Sequence, residues 1–193
     1  LVMGPDSYRR LPDVLAQSSD EALLDVRLDR SENYVGISPA RREGTNAWVT
    51  IIRGCDKFCT FCIVPFVRGR ERSIDPEEIV RQVESVAEEG FREVTLLGQT
   101  VNSYRGDGCS FADLLHRVAA VDGIERLRFT SPYPVDFSDR VISAMAEIKE
   151  VCPYLHLPVQ SGSDAQLTAM RRGYTVDQFR TLVSKLRDAI PNL

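Results

Sequence analysis

No apolar run in these 193 residues approaches the ~20 positions that a transmembrane helix needs, and no signal-peptide pattern is present. The expected protein therefore engages no membrane. A disulfide framework is missing as well. There are only five cysteines, an odd count, and three of them crowd into one short metal-like run. That usage suits a reducing compartment, so a cytoplasmic location is expected. Histidine is scarce: His116 falls on a predicted helix and His156 in a predicted strand. Each reads as an ordinary histidine, although either would complete a zinc site if one existed. Strong net charge is absent too. The formal value is −4, which does not announce a nucleic-acid binder. What remains is the composition of one domain, or one and a fraction. The 43% hydrophobic and 8% aromatic content permits a real core, and the 27% charged content is ordinary.

Charge is informative once it is taken locally. From Arg53 to Arg72 the positives are Arg53, Lys57, Arg68, Arg70 and Arg72, against Asp56 and Glu71. The following stretch, Glu77 to Glu93, carries six glutamates against Arg81 and Arg92. A basic patch thus precedes an acidic helix. Such a patch suits either phosphates or the balancing of a nearby anionic group.

The basic stretch also contains the densest chemistry, R-G-C-D-K-F-C-T-F-C-I-V-P-F-V-R-G-R-E-R. Cys55, Cys59 and Cys62 stand in a C-x-x-x-C-x-x-C run, with Phe58 and Phe61 between them. Soft thiolates suit zinc or an iron–sulfur cluster. A closed structural zinc site wants four ligands, and a four-iron cluster also binds four. Three thiolates leave one metal position open to a substrate or a second cofactor. Cys109 and Cys152 lack metal spacing and read as structural.

Around this run the pattern alternates between strand and helix. Residues 1–46 do not read as a complete unit. Ser7 caps a predicted helix to Gln17 with Leu11, Val14 and Leu15 on one face, Ser19 or Asp20 starts a second helix to Leu24, and Val26 to Leu28 alternates. Pro39 to Asn46 is a polar linker. Ala47 to Ile52 is β-rich, and a helix follows from Asp75-Pro76, with Glu78 placed for a capping box and Gly90 as its stop. A second strand at Glu93 to Leu97 leads to a helix from Ser110, and a third at Arg126 to Phe129 to a helix over Ser138 to Lys149. A fourth strand is predicted at Tyr154 to Leu157, before a last helix capped by Thr175. Repeated strand–helix units imply an α/β fold with a parallel sheet and right-handed crossovers. In barrels of this kind the site lies at the C-terminal strand ends. The cysteine run, Gly98 to Tyr104, Thr130 to Pro134 and Leu157 to Ser163 all fall there.

The cysteine run, with its flanking G-C-D-K-F-C-T-F-C-I-V-P and V-R-G-R-E-R-S, resembles the cluster loop of radical S-adenosylmethionine (SAM) enzymes of the methylthiotransferase family. L-L-G-Q-T, R-F-T-S-P-Y-P and L-H-L-P-V-Q-S-G-S-D extend the resemblance over nearly the whole chain, and they favour the branch that modifies isopentenylated adenosine beside the anticodon of tRNA. Two departures stand out: Thr100 where that branch has asparagine, and Ile74 where an arginine often stands. The alternatives kept open are action on threonylcarbamoyladenosine or on a ribosomal protein, and a zinc-binding RNA-interaction module.

The resemblance implies a partial (βα) barrel of radical SAM type over residues 47–193, truncated after about four βα units, with residues 1–46 as the tail of a preceding methylthiotransferase domain plus linker. It implies that Cys55, Cys59 and Cys62 hold a [4Fe–4S] cluster whose open iron chelates SAM. It further implies that Phe61 packs the adenine, and that Gln99, Ser131 and Gln160 contribute bonds to SAM or substrate. Arg171 and Arg172 are candidates for the SAM carboxylate or an RNA phosphate, against the plainer reading of a solvated pair. The implied partners are tRNA and an electron donor such as a flavodoxin or ferredoxin, with the protein a monomer. Cysteines for a second, sulfur-donating [4Fe–4S] cluster, the last barrel strands and an RNA-binding domain are expected only in a longer chain. This stretch alone is therefore expected not to methylthiolate RNA.

Overall fold

The computed structural model describes residues 1–17, 22–29, 31–37, 39, 41 and 44–193. Its centre is a parallel three-stranded sheet with order β1-β2-β3, where β1 is Asn46–Thr50, β2 is Glu93–Leu97 and β3 is Arg126–Phe129. Ala47 lies opposite Val94, and Val94 opposite Leu127. The connections are the helices α1 (Pro76–Glu88) and α2 (Phe111–Ala119), and α3 (Asp139–Glu147) follows β3. The chain is thus an α/β protein with a parallel sheet, as the strand–helix alternation predicts.

Local chemistry explains the helix starts. Asp75 accepts from the backbone N–H groups of Glu77 and Glu78, and Pro76 occupies the first turn, where no N–H is needed. Glu78 closes no capping box; it pairs instead with Arg81 and Gln82 along the same helix. Ser110 and Asp113 form a reciprocal box at α2, and Ser138 caps α3. The apolar stripes then meet the sheet. Ile79, Val83 and Val86 of α1, Leu114, Leu115 and Val118 of α2, and Val94, Leu96 and Leu127 of the strands are fully buried. Each such side chain contributes roughly 1.5–3 kcal/mol relative to exposure. Phe111 meets Phe129 edge-on at 5.2 Å, which joins the start of α2 to the end of β3.

The fourth strand expected at Tyr154 to Leu157 does not form. Beyond β3 the described chain makes a single parallel bridge, Leu127 to Val151, held by Leu127 N–H to Glu150 O at 2.7 Å and Cys152 N–H to Leu127 O at 3.0 Å. Pro153 comes next and has no N–H to give, and Tyr154 N–H bonds back to Cys152 O at 2.7 Å in a tight turn. The alternation of Tyr154, Leu155, His156 and Leu157 therefore runs beside the sheet as extended chain. Two short helices also lie outside the expected pattern: Val64–Val67, and α4 at Asp164–Ala169. The last helix, α5, is Val176–Ala189, and Thr175 with Gln178 forms its capping box.

The leading residues differ from expectation. Ser7 makes no cap; a 3₁₀ turn, Tyr8–Arg10, precedes a short helix, Leu11–Ala16. Leu11 and Leu15 of its predicted stripe are exposed. Val2–Met3 pairs in parallel with Leu24–Asp25, so Leu24 is extended rather than helical. The proposed start at Ser19 or Asp20 lies outside the described residues, as do residues 40, 42 and 43 of the predicted linker. No helix among the described residues is long and apolar enough to cross a membrane.

Candidate cofactor site

At the C-terminal ends of the strands four segments close on one cavity of about 420 Å³. Cys55, Cys59, Cys62, Phe61, Gln99, Ser131 and Gln160 all line it. Residues from four separate stretches of sequence are thereby brought together. Lys57, Thr100, Tyr133, His156 and Arg172 complete much of the wall.

The cysteine loop is shaped by its backbone. Ile52–Arg53 pairs antiparallel with Arg72–Ser73, so the loop is a closed excursion from β1. At its neck Gly54 adopts φ +74°, and a Cβ there would lie 2.1 Å from the Arg70 carbonyl oxygen. Only glycine fits that crossing. Cys55 N–H bonds to Gly69 O at 3.2 Å, and Cys62 N–H to Cys59 O at 3.0 Å. The far side is held by Thr60, whose N–H reaches Met170 O at 3.3 Å and whose hydroxyl reaches Ala169 O at 3.0 Å. Phe58 sits at φ +47°, with its ring edge-on to Phe66 and beneath Arg70 at 5.1 Å.

The thiols differ in access. Cys55 and Cys59 are buried, whereas Cys62 is half-buried. Burial pushes the Cys55 thiol up, with a smaller contribution in the same direction from Glu71, against the Lys57 N–H bond. A ligand at Cys55 must therefore displace the proton that burial favours. Among the described residues no three His, Cys, Asp or Glu side chains converge as a single-ion site requires. Cys55, Cys59 and Cys62 would instead suit an iron–sulfur cluster, which cysteine thiolates hold. Three soft donors on one cavity wall fit that group, and Gln99, which also lines the cavity, has an Oε1 that is buried and unbonded. Ser131 and Gln160 both hold left-handed backbone, φ +57° and +68°. Such strain collects at ligand sites. Phe61 is 60% exposed, so it does not serve as core packing.

Supporting contacts tie the rim together. Asn102 bonds the Tyr133 backbone twice, from Nδ2 to O at 2.9 Å and from the Tyr133 N–H to Oδ1 at 2.7 Å. Lys57 meets Asp136 at 2.6 Å and lies 4.9 Å over the Tyr133 ring. Burial pushes the Tyr133 phenol up to about 12. Thr100 donates to Glu71 at 2.7 Å, which gives the departure from asparagine at that position a definite partner. His156, read from sequence as an ordinary strand residue, instead lines the cavity. Cys109 and Cys152 do not line it, and His116 lies on α2.

Within the basic patch Arg53 and Arg72 are turned inward onto a carboxylate, whereas Arg68 and Arg70 stay exposed. Arg72 reaches Asp6 at 3.2 Å, Arg53 reaches Asp6 at 3.6 Å, and Arg70 reaches Asp56 at 2.5 Å. Arg171 and Arg172 part company: Arg171 is exposed at φ +56°, and Arg172 is buried against Cys59. No sequence signal links Arg172 to a cysteine 113 positions away.

The tRNA-2-methylthio-N(6)-dimethylallyladenosine synthases of Shewanella sp. (strain MR-4) and Stutzerimonas stutzeri (strain A1501) are each 43% identical to the chain over its full length, and the matches cover 42% and 45% of theirs. The chain thus spans about two fifths of the length of these curated relatives. Among solved structures, the radical S-adenosylmethionine methyltransferase TsrM from Kitasatospora setae aligns with TM-score 0.60 at 19% identity, over 76% of this chain and 29% of that one. The cobalamin-dependent S-adenosylmethionine radical enzyme OxsB aligns with TM-score 0.56 at 16% identity, over 74% and 22%. These two likenesses are of fold. Residues 49–193 match the Radical SAM superfamily, and with three quarters of its length so matched, this chain belongs to that superfamily.

Proposed function

We propose that this chain is the cluster- and SAM-binding core of a tRNA methylthiotransferase that places a methylthio group on carbon 2 of isopentenylated adenosine. One observation carries the reading: all three cysteines of the C-x-x-x-C-x-x-C run line a single cavity at the strand ends together with Gln99, Ser131 and Gln160. The 43% identity to enzymes named for that modification supports the substrate class.

Cys55, Cys59 and Cys62 would hold a [4Fe–4S] cluster, and bound there it supplies an electron to the sulfonium of SAM. The chain does the remainder. Gln99 offers its unbonded oxygen to the SAM amine, and Ser131 and Gln160 present polar groups from strained backbone. Phe61 stacks on the adenine, while Tyr133 and Pro158 exclude water from the wall. Residues 1–46 are the tail of a preceding domain and linker, and residues 47–193 a partial barrel that a longer chain completes. A second, sulfur-donating [4Fe–4S] cluster belongs to that longer chain. The partners are tRNA and a flavodoxin- or ferredoxin-like donor, in a cytoplasmic monomer.

The test is anaerobic reconstitution, followed by nucleoside mass spectrometry with isopentenylated tRNA and the full-length protein. One [4Fe–4S] cluster per chain and a 2-methylthio product are expected, and Cys62→Ala should stop SAM cleavage and methylthiolation together. Zinc in place of iron, or product formation without Cys62, overturns the reading.

A further inference from the structure

Arg172 sits where a solvated arginine would not. It is 9% exposed, and its Nη1 donates to Cys59 Sγ at 3.2 Å. Its guanidinium lies 5.0 Å from the Tyr133 ring centre and 5.8 Å from that of Tyr174. The Tyr133 hydroxyl donates to its backbone carbonyl, and its Nε is buried without a partner. Aromatic walls and a pinned backbone therefore fix this cation in place.

A buried cation calls for an anion. Among the described residues no carboxylate forms a salt bridge with Arg172, although most other arginines of the chain have one. The group it does reach is the Cys59 sulfur, neutral as a thiol and anionic as a metal ligand. We infer that Arg172 is a positioning residue for the cluster, whose guanidinium donates to the Cys59 thiolate and favours the cluster's reduced state. The inference rests on the reading that Cys59 is a ligand.

The physics is that of a charge-assisted hydrogen bond to a ligand sulfur. Reduction adds one electron, from the external donor, to a group already carrying three thiolates. A fixed positive charge at hydrogen-bond distance in a partly dry site offsets that added charge. Hydrogen bonds to the sulfurs are among the terms that set cluster potentials. Because the aromatic walls hold the guanidinium, this stabilisation does not depend on SAM being present. That separates it from a contact to the SAM carboxylate, which would act only on the complex.

The experiment uses the cluster-loaded protein without SAM. Arg172→Gln should retain its iron, and redox titration followed by electron paramagnetic resonance should show a reduced-to-oxidised ratio at least about tenfold lower at a fixed potential, a fall of 59 mV in midpoint for one electron. Arg172→Lys, which keeps the charge but loses the fork, should recover part of that shift. An unchanged midpoint in the glutamine variant, with only SAM affinity reduced, overturns the inference in favour of a carboxylate contact. Should the glutamine variant fail to fold, the unsubstituted protein decides the matter. Labelled with ¹⁵N-arginine, its reduced cluster should show a ¹⁵N coupling in pulsed spectra, and no coupling overturns the inference. Absence of any cluster from the unsubstituted protein would instead sink the reading of the site itself.

Discussion

Asp6 accepts from Arg72 at 3.2 Å across 66 residues of sequence, and its carboxylate is almost wholly buried. Arg72 is the residue opposite Arg53 in the hairpin that closes the cysteine loop. Arg53 reaches the same carboxylate and the Pro5 carbonyl, and lies 4.4 Å from the Tyr34 ring centre. The leading residues are thus fastened to the base of the cysteine loop by one acid between two arginines.

Removing that acid strands two buried cations. Asp6→Ala should cost about 3–5 kcal/mol if the leading segment and the sheet unfold together. If the segment detaches alone, limited proteolysis should cut residues 1–46 faster while the melting of the sheet stays put. Equal protection and equal melting in the variant and the parent would show that the arginines hold nothing.

The cysteines divide by position. Cys55, Cys59 and Cys62 line the cavity, whereas Cys109 and Cys152 do not. Cys59→Ala should abolish iron binding after anaerobic reconstitution, while Cys109→Ala and Cys152→Ala should keep full iron and sulfide. Loss of the cluster in either of the latter contradicts the ligand assignment. Before reconstitution, iodoacetamide should modify Cys62 ahead of Cys55, because burial both shields Cys55 and raises its pKa. Since the raised pKa favours the protonated thiol, the Cys55 rate should climb as pH rises past the ordinary thiol value.

Phe61 is largely exposed, so Phe61→Ala should leave thermal stability within about 0.5 kcal/mol. SAM affinity should fall on the order of tenfold, as expected from loss of an aromatic stacking partner. Isothermal titration of the loaded protein reads this directly. An unchanged affinity with a lowered melting point would make Phe61 a packing residue.

Two glycines of the loop provide a matched pair. Gly54 and Gly69 share φ +74°, but a Cβ at Gly54 strikes the backbone of Arg70, whereas one at Gly69 meets nothing within 4 Å. Gly69→Ala should cost only the left-handed backbone penalty, about 1–2 kcal/mol. Gly54→Ala should cost more and lower cluster occupancy, because the neck of the loop must open. Denaturant midpoints and iron content of the two variants test the difference.

Much of this architecture is legible in the sequence where local chemistry decides. Asp75-Pro76, Ser110 and Thr175 mark helix starts because a cap needs only its own next three residues. The cysteine run and the other three rim segments are legible because their residue types are rare in that spacing. The fourth strand misleads because Tyr154 to Leu157 alternates as a strand does, while Pro153 stops the ladder at Val151. The destinations of Arg72 and Arg172 are hidden because their partners, Asp6 and Cys59, are set by tertiary closure. Local charge counting sees a basic patch there and cannot see which carboxylate or sulfur will face it.

The bonds from Thr60 to Ala169 and Met170 set an order of events during synthesis. The cysteines leave the ribosome first, and the residues that seat their loop follow 109 positions later. At roughly 5–20 residues per second that interval lasts about 5–22 s. Throughout it the three thiols belong to a loop without its far wall and without Arg172. A cluster delivered in that window would meet flexible chain, while one delivered after Arg172 has emerged meets a finished seat. The seat of the loop is thus complete only after that interval, because its two halves are written 109 positions apart.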